Sequence, residues 1–201
     1  MPPVAAIILA AGESTRMGAP KAMLPDPDGR PFVARIVRTF IDAGVSRITI
    51  VVGSQLTAIT KALEADELPV RPRFVVNPDP SRGQLSSLLV GLDTAESDIE
   101  AVLVTLVDVP LIASSTIRQV VAAWEAARPP VVRPAIGTRH GHPVLFDRAV
   151  FDELRRAPLD EGAKFVVHAH ADRVVNVDVG DEGCLFDVDT PGDYDRLVRR
   201  R

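Results

Sequence analysis

The first half of the chain contains four continuous apolar runs separated by segments of another pattern. The runs are AAIILA (residues 5–10), RITIVV (47–52), RFVVN (73–77) and AVLVTLV (101–107). They are continuous rather than alternating between apolar and polar positions, which is typical of strands buried on both faces. The pattern therefore predicts a parallel sheet.

The segments between these runs have apolar residues at the 3.6-residue spacing of a helix. One such segment ends at Gly44, a second follows Ser54, a third covers residues 85–92, and a fourth begins after Ser114 and Ser115. Serine is a good helix N-cap, so we expect these serines to cap the second and fourth helices. Strands that alternate with helices predict an α/β three-layer sandwich with a mostly parallel, Rossmann-like sheet and right-handed crossovers.

The regular alternation of predicted strands and helices ends after the RPP of residues 128–130. A short strand VVRPA, the loop IGTRHGHP and a strand VLF precede helices near 147–156 and 162–169 and a strand RVVNVDV. No linker long enough to separate an independent domain occurs here. We therefore expect the part of the chain after residue 130 to extend the same sheet with an antiparallel element and to form the second wall of a cleft.

Length and composition narrow the class of protein. A length of 201 residues suits a single domain, 1–201, and 46% hydrophobic with 25% charged residues is a globular composition. The formal net charge of −4 argues against sequence-independent binding of nucleic acid. No apolar stretch reaches the roughly 18 residues of a membrane span, and no secretory signal is recognisable, so we expect a cytoplasmic protein that does not act at a membrane. The single cysteine, Cys184, is expected to be a bystander.

The loop after the first apolar run, AGESTRMGAPK, carries two glycines and two cations. Five residues separate Gly12 from Gly18, which excludes the P-loop, and AGES lacks the closely spaced glycines of a dinucleotide-binding enzyme. Arg16 and Lys21 suit the oxygens of a triphosphate, and Gly12 lets the backbone approach a ligand. The loop thus indicates a phosphate site, with a solvated turn as the alternative.

Carboxylates follow the fourth apolar run and precede the final helix. Asp108 is either a helix cap or a metal ligand, and the predicted serine caps of the following helix favour the ligand. In an extended segment Asp187 and Asp189 point to the same face, so that one is available as a cap and the other as a second metal ligand. Because ligands of an open parallel sheet bind beyond the carboxyl ends of its strands, we expect these residues to lie near Gly12.

The four histidines form two pairs, HGH at residues 140–142 and HAH at 168–170. On strands each pair would share a face and offer nitrogen ligands to zinc. The second pair lies in a predicted helix, where residues two apart diverge by about 200°. A zinc site is therefore the weaker alternative.

Five motifs in this order resemble the nucleotidyltransferases related to molybdenum cofactor cytidylyltransferase and guanylyltransferase, the MobA-like NTP transferase family. They are LAAGESTRMGAPKAMLP, NPDPSRGQLSSLLVGL, VTLVDVP, GHPVLF and FDVDTPGDYDRL. The resemblance implies one α/β domain of the nucleotide-diphospho-sugar transferase type, with an NTP-binding half in 1–112 and an acceptor-binding half in 113–201. It also implies Mg²⁺-dependent transfer of a nucleoside monophosphate from an NTP, with release of pyrophosphate.

The resemblance also implies roles for individual residues. The catalytic set is Arg16, Lys21 and Asp108, the metal ligands are Asp108 and Asp189, and His142 binds the acceptor. Asp187 remains an alternative metal ligand. The nucleotide-binding set comprises Leu9, Ala10, Ala11, Gly12, Arg16, Lys21, Ser86 and Ser87.

The stretch LAAG resembles the cytidylyl branch, whereas the guanylyl branch has LAGG, and the methyl group of Ala11 narrows the site against a purine. The predicted reaction is therefore transfer of CMP from CTP to the molybdopterin cofactor, with possible hand-over to a molybdenum hydroxylase. Guanylyl transfer and a different small phosphate acceptor are the alternatives. The segment LDEGAK at 159–164 departs from the cytidylyl pattern, which leaves the acceptor open.

Overall fold

A mixed β-sheet forms the middle layer of the computed structural model, which describes residues 3–12 and 17–199. The strand order is β3-β2-β1-β4-β7-β5-β6, and β8 pairs with β5. The strands are β1 (Val4–Ala10), β2 (Arg47–Val52), β3 (Arg73–Val76), β4 (Ala101–Leu106), β5 (Val131–Ile136), β6 (Arg139–His140), β7 (Val144–Asp147) and β8 (Val174–Asp178).

Seven α-helices are assigned within the described residues. They are α1 (Phe32–Asp42), α2 (Leu56–Glu64), α3 (Gln84–Leu92), α4 (Ser114–Ala127), α5 (Phe151–Arg156), α6 (Lys164–Ala169) and α7 (Pro191–Val198). None of these helices combines the length and the apolar character that crossing a bilayer requires.

Helices cover both faces of the sheet. The apolar sides of α1, α2 and α4 pack on one face, around Phe40, Ile59 and Trp124. Leu88 of α3 and Leu154 of α5 pack on the other face, together with α6. The predicted three-layer α/β sandwich is therefore confirmed, and so is the antiparallel extension, because β7 runs antiparallel to β4.

Gly91 allows α3 to pack closely on the sheet. A Cβ atom at this position would lie 2.6 Å from Cγ2 of Ile7 and 3.0 Å from Cγ2 of Val51. These two residues lie on β1 and β2, so the missing side chain lets the helix approach the centre of the sheet. This close contact fixes the position of α3, whose N-terminal turn borders the candidate site.

Three local expectations were wrong. β3 is not buried on both faces, because it forms an edge of the sheet and its residues are half-buried or exposed. The short strand β6 lies within the segment predicted to be a loop. Neither Ser54 nor the serine pair caps a helix: α2 has no side-chain cap, and Asp181 accepts hydrogen bonds from the backbone N–H of Ala113 (2.8 Å) and the hydroxyl of Thr116 (2.7 Å) at the start of α4.

Candidate active site

The candidate site lies where β1 and β4 end side by side. These strands are parallel, with Leu9 beside Leu106, and the backbone N–H of Val107 donates to the carbonyl of Leu9 at 3.1 Å. The chain order of the sheet reverses here, because β2 and β4 flank β1 on opposite sides. In open α/β sheets this is the position of the ligand crevice.

Lys21 and two aspartates meet at this edge of the sheet. The Lys21 Nζ atom lies 2.9 Å from Asp108 Oδ2 and 2.6 Å from Asp189 Oδ1. The side chains of Lys21 and Asp108 are only 12% and 17% exposed, whereas that of Asp189 is 46% exposed. The backbone N–H of Val188 donates to the Asp108 carbonyl at 2.9 Å, which ties the segment before α7 to the end of β4. Three residues distant in sequence therefore form one cluster.

The cluster holds Lys21 in its charged form. Burial by itself lowers the pKa of Lys21, but the hydrogen bonds to Asp189 and Asp108 outweigh burial, so this pKa stands above its ordinary value. Asp187 lies nearby at an exposed position, and its pKa is raised by desolvation and by the negative charge of Asp108. Among the described residues, the site thus combines the positive charge of Lys21 with the carboxylates of Asp108, Asp187 and Asp189.

The donor set of this cluster fits a hard divalent cation. The Oδ1 atom of Asp108 is buried and accepts no hydrogen bond from any residue that the structure describes. In the same part of the chain no third carboxylate, histidine or cysteine joins Asp108 and Asp189 in a three-residue metal cluster. Mg²⁺ is usually held by one or two carboxylates together with substrate phosphates, so a pair of this kind suffices.

A cavity of about 320 Å³, here the first cavity, opens next to the cluster. Its lining includes Lys21, Asp108 and Asp189 together with Leu9, Ala11, Gly12 and Ser87. Ala10 is not among the lining residues and packs in the apolar core on the α1 side of the sheet. The stretch LAAG thus borders the cavity with three of its four residues.

Asn77 is a site residue that the sequence reasoning missed. Its buried Nδ2 group donates to Ser86 Oγ at 3.0 Å and to Ser87 Oγ at 2.9 Å. Ser86 in turn donates to the carbonyl of Gly83 at 2.7 Å, whereas Ser87 lines the first cavity. Asn77 therefore anchors both serines, and the Ser87 hydroxyl is the one that borders the cavity. The sequence signal for this role is the asparagine of the NPD turn after β3, because an asparagine that becomes buried needs hydrogen-bond partners for its amide group.

A larger cavity of about 1140 Å³, here the second cavity, adjoins the first. The two share Leu9, Gly83, Gln84 and Leu106 in their linings. The segment 159–164, where the sequence departs from the cytidylyl pattern, lines the second cavity over its whole length. Variation in this segment therefore changes the wall of the larger chamber.

His142 lines the second cavity between β6 and β7. Its backbone N–H donates to the carbonyl of Cys184 at 2.9 Å, and its Nδ1 atom lies 3.4 Å from the carbonyl of Val104. Burial lowers the pKa of His142, although the carboxylates of Asp187 and Asp108 act in the opposite direction. A Cβ atom at Gly141 would lie 2.3 Å from the Cys184 carbonyl oxygen, so only glycine fits beside it.

Two further predictions concern Arg16 and a zinc site. Arg16 lies outside the described residues, and its assignment stays a prediction. The zinc alternative finds no support in residues 3–12 and 17–199, because no group of three or more metal-binding side chains occurs there. His170 instead pairs with Glu153, at 2.8 Å between Nε2 and Oε2.

Comparisons with known proteins agree with this geometry. The model of the MobA-like NTP transferase domain matches residues 6–174. The chain is 31% identical over 206 residues to nicotine blue oxidoreductase of Paenarthrobacter nicotinovorans, covering 98% of each protein. It is 37% identical over 128 residues to the bifunctional protein GlmU of Anaeromyxobacter dehalogenans, covering 63% of this chain and 26% of that one.

A solved structure extends the comparison to a metal. Rv0371c of Mycobacterium tuberculosis H37Rv, solved in complex with manganese, aligns with a TM-score of 0.79 at 27% identity, over 98% of this chain and 99% of that chain. The domain model covers most of the chain, including Lys21 and Asp108 of the cluster at the ends of β1 and β4. The chain therefore belongs to the MobA-like NTP transferase family of nucleotidyltransferases.

Proposed function

We propose that this nucleotidyltransferase transfers CMP from CTP to the terminal phosphate of a molybdopterin-type cofactor, with Mg²⁺ as the metal and pyrophosphate as the second product. The observation that carries the proposal is the contact of Lys21 with both Asp108 and Asp189 at the first cavity. The motifs that resemble the cytidylyl branch support the choice of nucleotide and acceptor. Guanylyl transfer to the same cofactor is the alternative within the family.

The first cavity is the proposed nucleotide site. Gly12 lines this cavity, and a Cβ atom at this position would meet nothing within 4 Å among residues 3–12 and 17–199. The Ser87 hydroxyl, held by Asn77, is available for a polar contact with the nucleotide. Ala11 lines the same cavity, and we propose that its methyl group favours the smaller pyrimidine.

Asp108 and Asp189 are the residues that would hold a divalent cation. When bound, that cation supplies positive charge that neutralises phosphate oxygens during the transfer. The buried Oδ1 atom of Asp108, which has no hydrogen-bond partner among the described residues, supports this assignment. Oxygen ligands suit both Mg²⁺ and Mn²⁺.

Nucleotidyl transfer is an in-line displacement at the α-phosphorus, in which positioning and charge neutralisation do most of the work. Lys21 contacts the α-phosphate and stabilises the charge that develops there. Arg16 neutralises the leaving pyrophosphate. A phosphate monoester has its second pKa near about 6 and is ionised at neutral pH, so the acceptor oxygen needs no strong general base.

The second cavity is the proposed acceptor site. It adjoins the first cavity, and His142 and the segment 159–164 form part of its wall. The neutral form of the His142 imidazole is favoured by burial and suits a hydrogen bond to the acceptor. Hand-over of the product to a molybdenum hydroxylase would complete the proposed pathway step.

The full-length relative named nicotine blue oxidoreductase provides a second candidate, an oxidoreductase. The first loop of this chain lacks the glycine spacing of a dinucleotide fingerprint, which favours the transferase. Oxidation of NADH or NADPH in the presence of nicotine blue tests this candidate directly.

The test of the proposal is pyrophosphate release from each of the four NTPs, with and without molybdenum-loaded pterin cofactor, at fixed Mg²⁺ concentration. We expect release with CTP that requires the cofactor. The Lys21→Ala variant should lose release, and the exposed Lys61→Ala variant is the matched control. Release from GTP alone would overturn the choice of CTP, and no release from any NTP would overturn the proposed reaction.

A further inference from the structure

Arg133 of β5 is a half-buried arginine in the wall of the second cavity. Its Nε atom donates to Asn176 Oδ1 of β8 at 2.8 Å, in the parallel register that pairs these two residues. Neither of the two terminal nitrogens of its guanidinium group makes a hydrogen bond to any of residues 3–12 and 17–199. Asn176 thus fixes the guanidinium plane and leaves its forked end available to a ligand.

No carboxylate lies within ion-pair distance of Arg133 in the described part of the chain. Burial lowers the pKa of Arg133, and no neighbouring charge offsets this effect. By contrast, the half-buried Arg35 is paired with Asp26 at 2.8 Å. A cation that is partly removed from water without a counter-charge costs free energy, and an anionic ligand would recover that cost.

The other charged residues of the second cavity are mixed in sign and exposed. Lys164 contributes from α6, Arg82 from the turn before α3, and Asp160 and Glu161 from the turn before α6. His140 lies beside Arg133, and its pKa is lowered by burial and by the Arg133 charge. Among the described residues, Arg133 is therefore the partly buried cation of this wall.

Arg133 and the transfer site lie on separate strands of the sheet. In strand order β5 is two positions from β4, and neighbouring strands lie about 4.8 Å apart, which gives about 10 Å between these strands. Asp108 follows the end of β4, and the two cavities meet at Leu9 and Leu106. A ligand that contacts both Arg133 and the transfer site must therefore be elongated.

We propose that Arg133 binds an anionic oxygen group, phosphate or carboxylate, at the end of the acceptor opposite its reacting phosphate. The acceptor is then an elongated molecule with two anionic ends, and Arg133 selects it over a molecule with a single phosphate. This subsite rests on the proposed function in one respect only, namely that the reacting phosphate of the acceptor lies at the first cavity. Two guanidinium N–H groups match two oxygens of such an anion in a fork.

The experiment measures binding of simple probes to the whole chain of 201 residues by titration calorimetry. The probes are α,ω-alkanediol bisphosphates of increasing length, each compared with the alkyl monophosphate of the same length. At the best length we expect the bisphosphate to bind about 10-fold to 100-fold more tightly, as is usual for a hydrogen bond to a charged group. A parallel series that ends in a carboxylate distinguishes the two anions, and a gain with either series supports the subsite.

The Arg133→Gln variant should lose most of this gain and keep its affinity for the monophosphates. Arg139→Gln is the matched control, because Arg139 lies on the same hairpin but does not line the cavity and pairs with the exposed Glu182. Arg133→Lys keeps the charge without the fork, and its gain should be intermediate. This second variant carries the test if the glutamine variant does not fold.

Two results would overturn the subsite: no gain for any bisphosphate in the unmodified protein, or the same gain after substitution of Arg133. Because binding of the probes needs no turnover, the outcome is separate from that of the proposed reaction. A gain that depends on Arg133, combined with no pyrophosphate release, would remove the proposed reaction and leave the subsite intact.

Discussion

Replacing Lys21 by alanine removes the positive charge between Asp108 and Asp189. The ammonium group lies 2.9 Å and 2.6 Å from the two carboxylates, in a site where Lys21 and Asp108 are largely buried. The substitution leaves two negative charges close together with no cation between them. We expect this change to affect both the rate of transfer and the stability of the fold.

The size of the stability loss follows from the burial of each partner. Breaking a fully buried ion pair costs about 3–5 kcal/mol, whereas an exposed pair contributes about 0–1 kcal/mol. The Asp108 side chain is 17% exposed and that of Asp189 is 46% exposed, so the pair with Asp108 dominates. We expect the free energy of unfolding to fall by about 2–3 kcal/mol, which a domain of ordinary stability tolerates.

The same substitution is also expected to lower the rate of transfer. Removing one electrostatic stabiliser of a transition state costs on the order of 10²–10³ in turnover. The assay is steady-state pyrophosphate release, with urea unfolding of the same preparation to establish that the variant is folded. Lys61→Ala, at an exposed position of α2, should change neither quantity.

Lys21→Ala with unchanged turnover and normal folding would refute the role of the cluster. A Lys21→Met variant, which keeps the apolar stem and removes only the charge, separates lost packing from lost charge. If Lys21→Met restores stability but not turnover, the charge itself is required.

Four further substitutions test other parts of the account. Asp181→Ala should destabilise the protein by about 1–2 kcal/mol in urea unfolding, because the N-terminus of α4 loses its acceptor. Gly91→Ala should cost about 1–3 kcal/mol in the same assay, because the new Cβ atom meets β1 at 2.6 Å. Ser87→Ala should raise the KM for CTP about tenfold with little change in kcat, measured by initial rates, if its hydroxyl donates to the nucleotide. The pKa of His142 is lowered by burial, so the unfolded chain binds a proton at this residue more readily than the folded protein does. The stability of the protein should therefore fall as the pH drops below about 6.5. The His142→Gln variant should show a smaller fall, measured by thermal melts at several pH values.

Matched controls distinguish these effects from general damage. Ser114→Ala removes a serine that does not cap α4, and Gly180→Ala places a methyl group where no atom of the described residues lies within 4 Å, so each should change stability by less than about 0.5 kcal/mol. Ser86→Ala removes a hydrogen bond to Gly83 and should lower stability while leaving the KM for CTP unchanged. A larger effect of Ser86 than of Ser87 on the KM would contradict the assignment of the cavity serine.

The strand pattern predicted the arrangement of the sheet because a strand that is buried on both faces needs a continuous run of apolar residues. β1, β2 and β4 have this pattern and occupy the middle of the sheet. The run that became β3 has the same residue types, but its place at the edge depends on which strands find partners. Pairing is a property of the whole sheet, so local composition does not reveal it.

The proximity of Asp108, Asp189 and Lys21 was predictable for the same physical reason. Residues that follow neighbouring parallel strands meet at one edge of the sheet, and the segment before α7 joins them through the hydrogen bond of Val188. The direct contact of Lys21 with both carboxylates was not predicted, because the sequence assigned the lysine to phosphate and the aspartates to metal. The structure adds that these charges neutralise one another.

Long-range hydrogen bonds account for most of what the sequence left open. The cap of α4 comes from Asp181, which is 68 positions from Ala113 and has no local signature. The anchoring of Ser86 and Ser87 by Asn77 likewise depends on the turn between β3 and α3. Arg133 carried no motif, and its significance comes from burial without a counter-charge.

The cluster at the ends of β1 and β4 is proposed to serve transfer of a nucleotide to a phosphate acceptor. Mass spectrometry of the pterin product after incubation with CTP, Mg²⁺ and molybdenum-loaded cofactor tests this claim most directly. We expect a cofactor whose mass has increased by one CMP unit, formed in equal amount with pyrophosphate, and formed about 10²–10³-fold more slowly by the Lys21→Ala variant. Free CMP without any cofactor adduct, or an unchanged cofactor with intact CTP, would contradict it.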